Sequence, residues 1–376
     1  MSKPESFKTK VLIIALPLDN QKAGVHVYTK ELIKAINNNL NTKIEFTIIR
    51  SRQDNEYPNL KSIILPDLFW VPGWSSFVLF ILIPIITLLS KIDISIEPAH
   101  FGPFNLPNRI KRVTVIHDLT PIIFPQYHRF IGRVLQKIYL KKILSKADLI
   151  LSNSQNTQVD LEKYYPKTKG KIKTIYLGLS SIYKLLKADD QHLKKLNIKK
   201  PYLLFVGTIE PRKNLELLLD TFNYLKSNHD FKYSLNIVGG KGWNSDSFYS
   251  KLENHPYKNK IRLLGFVDKE ELVTLYSNAS LFIYPSLYEG FGFPPLEAIY
   301  CGAKTVIPYN SSLKEIGKDL AFFYHDQTVA SLSSTILSAL KSNFDHIRSK
   351  QIIDHRFNWA KHTDTLQKIL LNLFDD

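Results

Sequence analysis

The chain carries one cysteine, Cys301, in 376 residues. A single thiol excludes an intramolecular disulfide framework and a cysteine-rich zinc site, and it suits a reducing compartment. Acid is scarce beside base: 34 Asp and Glu stand against 50 Lys and Arg, a net charge of +16. That balance suggests an anionic partner: nucleic acid, anionic lipid or a phosphorylated small molecule. Glycine (15) and proline (19) are too few for a collagen-like or Pro-rich low-complexity chain. With 44% hydrophobic and 22% charged residues, wholesale disorder is excluded.

Long apolar runs are lacking as well. Met1 to Lys10 is polar and charged, and Val11–Leu16 after it is too short for the core of a signal peptide. It reads as a buried first strand. Leu68 to Ser90 carries no charge, but Pro72, Gly73, Trp74, Ser75 and Ser76 interrupt its first third and Pro84 lies in the rest. The clean stretch, Phe77 to Leu89, is short of the roughly 20 residues that a span needs. A buried or interfacial helix is expected there.

Two fingerprints are missing. The segment after the first strand, LPLDNQKAGVHVY, has a single Gly24 in place of Gly-x-Gly-x-x-Gly, which argues against dinucleotide chemistry. No two aspartates stand at Asp-x-Asp spacing, and the 11 histidines show no ligand spacing, so no metal site and no cofactor are expected.

What is present is alternation. Short apolar runs occur at Val11–Leu16, Ile44–Ile49, Ile92–Ile96, Val113–Ile116, Leu149–Ser152 and Ile172–Tyr176. They resume at Leu203–Val206, Leu235–Val238, Ile261–Leu264, Leu281–Tyr284 and Thr305–Ile307. Helical patterns such as Val27–Asn38, Gln155–Tyr164, Leu215–Lys226 and Pro295–Tyr300 lie between them. Strands alternating with helices predict an α/β protein with parallel sheets covered on both faces. So many strands suit two sheets, with a break in the polar, basic stretch Ser180–Lys200. The expectation is two Rossmann-like halves facing across a cleft.

The most informative segment is YPSLYEGFGFPPLEAIYCG, residues 284–302. Glu289 is placed on a loop at the carboxyl end of a strand, Gly290 and Gly292 flank Phe291, and Pro294–Pro295 can open a helix. Glu297 is expected in that helix's first turn. Ligands bind at the carboxyl ends of strands in open α/β sheets, so two carboxylates and a glycine loop there suit sugar and ribose hydroxyls. In VGTIEPRKNL, residues 206–215, Arg212 and Lys213 fall at a loop–helix junction, where cations, free N–H groups and the helix dipole make an anion site. A solvated basic turn is the plain alternative for that pair taken alone.

With these motifs the sequence resembles the retaining glycosyltransferases of the GT-B fold, family 4, over nearly its whole length. Weaker landmarks follow in the same order: VIHDLTPIIFP at 115–125, ADLILSNSQNT at 147–157, IYLG at 175–178, VGGKGW at 238–243 and LGFV at 264–267. The resemblance implies an acceptor domain over 1–185, a nucleotide-sugar domain over 186–355, and a C-terminal helix over 356–376 that crosses back to the first. It implies that Arg212 and Lys213 hold the nucleotide diphosphate, and that Glu297 binds the donor ribose. Glu289, with the backbone of Phe291 and Gly292, would hold the donor sugar. His117 would contact that sugar near the reaction centre, and Gly24 and Gly207 would lie on loops beside the donor.

Ala23 departs from a frequent second glycine, and Lys304 stands where the family often has proline. His117 also has a plainer reading as a satisfied structural histidine, with Asp118 capping the next turn. The donor implied is a nucleotide-sugar, GDP-mannose before others, and the acceptor a glycan or lipid-linked glycan of surface polysaccharide. A degenerate sugar-nucleotide-binding or scaffolding protein is the alternative from another class.

Basic residues cluster from Arg109 to Lys146, where Asp118 is the sole acid. Arg129, Arg133, Lys137 and Lys141 recur at helical spacing, with Ile131, Val134, Leu135 and Ile138 expected largely on the other face. Such a helix suits an anionic membrane surface, or is a core helix with a solvated basic face. No nucleic-acid module is recognisable, so no nucleic-acid partner is expected. The expected location is cytoplasmic, peripheral on the inner face of a membrane.

Overall fold

The computed structural model describes residues 8–20, 24–53, 55–68, 70–127, 130–183 and 190–374. In the helix Phe130–Lys146 it describes side chains from Ile138 onward. The chain divides into two compact units: residues 1–123, 128–178 and 357–376 form one, and residues 124–127 and 179–356 the other.

The first unit is built on a seven-stranded parallel sheet. Its strands are β1 (Thr9–Ile14), β2 (Ile44–Arg50), β3 (Lys61–Ile64), β4 (Ile94–Glu97), β5 (Lys111–Ile116), β6 (Leu149–Ser152) and β7 (Ile172–Thr174), in the order β3-β2-β1-β4-β5-β6-β7. The second holds a six-stranded parallel sheet: β8 (Tyr202–Val206), β9 (Ser234–Val238), β10 (Ile261–Gly265), β11 (Leu281–Ile283), β12 (Thr305–Pro308) and β13 (Phe322–Tyr324), in the order β10-β9-β8-β11-β12-β13. Central strands such as β4, β6, β8 and β12 are buried along their whole length, as strands covered by helices on both faces must be.

Every apolar run read from the sequence overlaps a strand. Two strands have no such counterpart. β3 sits at a sheet edge, and its KSII is largely exposed, so no apolar alternation marks it. β13 is a three-residue edge strand.

Both sheets reverse strand order beside their first strand, between β1 and β4 and between β8 and β11. Carboxyl ends of strands at such a switch open a crevice for ligands.

The C-terminal helix Trp359–Leu371 belongs to the first unit. Gly178 ends the IYLG landmark and lies directly under Trp359. A Cβ there would come within 2.3 Å of the Trp359 backbone nitrogen. Tyr176 meets Phe357 ring to ring at 5.7 Å, and its carbonyl bonds His362 Nδ1 at 3.0 Å. Two distant landmarks thus meet as one packing joint.

The uncharged segment forms helix from Trp74 to Leu89, with a wide π-type turn at Val78–Leu82. Pro84 has no N–H for the Phe80 carbonyl, and Asn105 Nδ2 donates to that carbonyl at 2.7 Å instead. Val78 and Ile83 join the core beneath the sheet with Leu12, Ile14 and Ile49. Phe77, Ile81, Ile85 and Leu88 are each 44–48% exposed and Leu89 is 79% exposed, so an apolar stripe faces outward. Among the described residues no helix is long and apolar enough to cross a membrane.

The helix Phe130–Lys146 corrects one expectation. Ile138, placed on its apolar face, is 54% exposed, while Leu140, Ile143 and Leu144 are buried. Lys141 is exposed. Arg129 lies outside the described residues, as do the side chains of Ile131, Arg133, Val134, Leu135 and Lys137.

Candidate functional site

In the second unit, β8 delivers its chain to Gly207 and then to a single 3-10 turn, Pro211–Lys213. Asn214 follows with φ 53°, in the left-handed region that asparagine tolerates, and the helix Leu215–Asn228 begins. Ile209 N donates to Gly240 O at 3.0 Å and Gly242 N to Ile209 O at 2.9 Å, so the VGGKGW loop braces this turn. On the other side of the switch, β11 runs into Tyr284, Ser286 and Glu289. Leu287 N donates to Arg212 O at 2.9 Å, which ties the two loops together.

Their side chains converge on one atom. Glu289 Oε1 is 2.9 Å from Arg212 Nη1, 2.6 Å from Lys213 Nζ and 2.6 Å from Ser286 Oγ. Arg212 Nη1 also donates to Tyr288 O at 2.7 Å, and Nη2 to Glu210 Oε1 at 2.5 Å. Lys213 Nζ donates to Tyr284 OH and lies 4.8 Å from that ring's centre, a cation–π contact. The Tyr284 ring stacks on Phe205 at 5.7 Å and Phe282 at 6.0 Å, giving the site an aromatic floor.

Glu210, Lys213, Tyr284, Ser286 and Glu289 are buried, and the Arg212 side chain is 15% exposed. Burial alone would push the Glu289 carboxyl up, but the Arg212 and Lys213 cations outweigh it and hold the carboxyl at about 2. Burial, then repulsion from Arg212, lowers the Lys213 ammonium. Two carboxylates, Glu210 and Glu289, formally balance two cations. The cations are therefore fixed in place before any ligand arrives, which is the arrangement that stabilises charge developing later in a reaction.

Gly292 has φ 105° and caps the helix Phe293–Tyr300. A Cβ there would lie 2.8 Å from Leu313 Cδ2 and 2.9 Å from Ile316 Cδ1. Ser312 Oγ donates to the carbonyls of Glu289 and Phe291 at 2.9 and 2.7 Å, which fixes the loop. Because the helix starts at Phe293, two residues ahead of the expected Pro295, Glu297 falls just past its first turn and not within it. Glu297 is buried and accepts from Tyr276 OH at 3.0 Å. Burial raises its carboxyl to about 7, against the hydrogen bonds of Tyr183 and Tyr276.

His117 and Gly24 belong to the first unit. Gly24 opens the helix Gly24–Asn38 after β1, and His117 follows β5. Tyr28, one turn further along that helix, meets the His117 ring edge-on at 4.7 Å. His117 Nε2 is 2.8 Å from Pro98 O. A carbonyl only accepts, so Nε2 carries the proton in the neutral ring. Burial lowers the His117 pKa, against the Pro98 carbonyl and Asp118. Asp118 Oδ1 accepts from Thr120 N and Oγ1 at 2.9 and 2.7 Å, so it does cap the next turn.

Several residues were invisible in the sequence. His100 accepts from His117 N at 2.6 Å and stacks on its ring at 5.1 Å. The β4–β5 pairing brings them together, and no local spacing announces it. Glu210 and Ser286 complete the second-unit cluster; an acid three residues after Gly207 was the available signal for Glu210. Lys304 Nζ donates to the carbonyls of Leu340 at 3.2 Å and of Ser342, and so binds the end of the helix Val329–Lys341. Among the described residues no group of three or more His, Cys, Asp or Glu side chains is placed to hold a metal ion.

Comparison with known proteins agrees with this arrangement. Residues 23–181 match the family model Glycosyltransferase Family 4, and residues 188–357 match Glycosyl transferases group 1. The O-antigen chain mannosyltransferase B of Escherichia coli is 34% identical over 251 residues, 65% of this chain and 65% of that protein. The serotype-specific mannosyltransferase WbdA of Escherichia coli is 28% identical over 57% of this chain and 28% of its own length. The chain thus spans less than two thirds of the length of either curated relative. Sucrose-phosphate synthase from Thermosynechococcus elongatus shares the fold with a TM-score of 0.74, at 16% identity, over 98% of this chain and 100% of that one. Two parallel-sheet domains, the paired family matches and the cluster at the β8–β11 switch agree: the chain belongs to glycosyltransferase family 4, with the GT-B fold.

Proposed function

We propose that the protein transfers mannose from GDP-mannose to a hydroxyl of a glycan or lipid-linked glycan in surface polysaccharide synthesis, with retention at the anomeric carbon and without a metal. One observation carries the reading: Lys213, buried, and Arg212, 15% exposed, are pre-positioned at the β8–β11 switch, where a leaving diphosphate needs neutralising. Guanidinium and ammonium groups at that point can take the role that a metal plays elsewhere. Glu289, held at about 2, stays ionised at any physiological pH. It is a poor proton donor and suits accepting hydrogen bonds from sugar hydroxyls. Attack from the face that the diphosphate leaves then needs no carboxylate nucleophile. Glu297 is assigned the ribose, His117 the donor sugar, and Gly24, Gly207, Phe291 and Gly292 the donor's backbone contacts. The mannose rests on the names of the relatives.

The location proposed is cytoplasmic, on an anionic membrane face. The outward stripe of Phe77, Ile81, Ile85, Leu88 and Leu89, together with Trp70 at 78% exposure, supplies a shallow apolar edge. The +16 charge supplies attraction to anionic lipid. Co-sedimentation with anionic liposomes should fall with neutral lipid and with salt, and Ile81→Gln with Ile85→Gln should weaken it further. Equal pelleting of the double variant would remove the stripe from the account.

Thermal-shift measurements with GDP, UDP and dTDP test the donor, and stabilisation by UDP alone would overturn GDP. Nucleotide-sugar binding with no release in the presence of lipid-extract acceptors would favour the degenerate, scaffolding alternative.

A further inference from the structure

The segment Glu97 to Gly102, at the carboxyl end of β4, is built around one neighbour, His117 at the end of β5. The Glu97 side chain folds back, and its Oε1 accepts from Ala99 N at 2.8 Å. Gly102 packs against it, since a Cβ there would lie 2.7 Å from Glu97 Cγ. Between them His100 is held at φ 67°, in the left-handed region. A side chain keeps that conformation only where its surroundings over-determine it, and such positions cluster at functional sites.

His117 is tied at all of its polar groups but one. Its N–H donates to His100 Nε2 at 2.6 Å, its carbonyl accepts from Thr157 Oγ1 at 3.2 Å, and its Nε2–H donates to Pro98 O at 2.8 Å. The His100 ring lies against the His117 ring, with centroids 5.1 Å apart and planes inclined by 22°, and Tyr28 meets it edge-on. Nδ1 is the exception. Among the described residues nothing bonds it, and His117 is only half-buried. With the proton on Nε2, Nδ1 carries a bare lone pair. It accepts from a hydroxyl and repels a carboxylate or phosphate oxygen.

His100 can hold the His117 N–H only through its own Nε2 lone pair, so its proton sits on Nδ1. Burial, then repulsion from His117, lowers the His100 imidazole and keeps that lone pair available at neutral pH. A protonated His100 would set a donor against the His117 amide.

We propose that His100 is a positioning residue for the transfer: it fixes the His117 backbone and backs its ring, so that Nδ1 is presented as an acceptor to one hydroxyl of the donor sugar. The inference rests on the assignment of His117 to the donor sugar and adds the residue through which that histidine is set.

Two variants of the full chain separate the imidazole from the backbone. His100→Gly removes the acceptor and suits φ 67°, so it adds no strain. His100→Gln puts an amide oxygen where Nε2 lies. In amide exchange followed by NMR, the His117 N–H should exchange about tenfold faster in His100→Gly and be largely restored in His100→Gln. Nucleotide release is measured with whichever of GDP-mannose and UDP-glucose the wild type uses. Its kcat/KM should fall about tenfold in His100→Gly and recover in His100→Gln. The thermal stabilisation that the nucleotide-sugar gives beyond its nucleoside diphosphate should shrink in His100→Gly. Stabilisation by the diphosphate alone should stay, which also shows that the variant folds.

The decisive comparison sets His117→Ala beside the double variant His117→Ala with His100→Gly. Because His100 acts through His117, the two should release nucleotide at rates within about twofold. A further loss of about tenfold in the double variant, or wild-type release by His100→Gly, would overturn the proposal. So would an unaltered His117 amide in His100→Gly. If the wild type releases nucleotide from neither sugar nucleotide while His100→Gly still frees the His117 amide, the transferase reading is what fails, and the positioning role falls with it.

Discussion

Replacing Glu289 by glutamine removes the one charge on which both site cations converge. The side chains of Arg212, Lys213 and Glu289 are at most 15% exposed, and both cations lie within 2.9 Å of Glu289 Oε1. Glutamine keeps the volume but leaves the Lys213 ammonium without a hydrogen-bonded carboxylate. Breaking a buried pair from one side costs about 3–5 kcal/mol, because the remaining charge is stranded. The depressed carboxyl gives a second figure. The Glu289 carboxyl falls from 4.5 to about 2 on folding; at 1.36 kcal/mol per pH unit that is roughly 3 kcal/mol. The two estimates overlap, so the expected loss at pH 7 is about 3 kcal/mol.

The pH dependence has a definite sign. Folding depresses this carboxyl, so its contribution is complete above about pH 4.5, about half gone at pH 3, and lost as pH falls through about 2. Urea unfolding of wild type and Glu289→Gln, followed by tryptophan fluorescence at pH 7 and pH 3, reads both numbers. Trp243 reports on this unit. A gap under about 1 kcal/mol at pH 7, or a gap that widens on acidification, would refute the reasoning.

Arg212→Ala and Lys213→Ala should each lower turnover by about 10²–10³, measured as nucleotide release; near-normal rates in both would remove them from the diphosphate site. Glu297 behaves oppositely to Glu289: folding raises it to about 7, so its stabilising contribution is present below about pH 4.5 and lost as pH rises through about 7. Glu297→Gln should therefore match or exceed wild-type stability at pH 8 in thermal melts, while nucleoside diphosphate binding weakens about tenfold. Greater destabilisation at pH 8 than at pH 5 would contradict that assignment. Gly292→Ala forces a side chain into φ 105° and against Leu313 and Ile316, and should lower stability by about 1–3 kcal/mol; an unchanged Tm would count against the strain argument.

Sheet interiors were legible because strands buried on both faces, such as Tyr202–Val206, read as unbroken apolar runs. The exposed edge strand Lys61–Ile64 was not, since an edge needs no such run. Arg212, Lys213 and Glu289 were each legible from loop position and residue type. Their meeting on a single oxygen was not, because it depends on the pairing of β8 with β11, residues far apart in sequence. Glu297 was read into the first turn because two prolines mark a helix start only to within a residue or two, and Gly292 moves the cap ahead of them. His100 depends wholly on the β4–β5 pairing. The basic spacing from Arg129 to Lys141 suggested two clean faces. Ile138 shows that burial on that helix follows Leu140, Ile143 and Leu144 instead.

The most direct test of the central claim is proton NMR of GDP-mannose incubated with the purified protein and a lipid-linked glycan extract. The account predicts release of GDP with a new mannoside whose first-formed anomer keeps the α configuration of the donor, and loss of both signals in Lys213→Ala. A β-linked first product, or consumption of a uridine-diphosphate sugar while GDP-mannose stays intact, would contradict it.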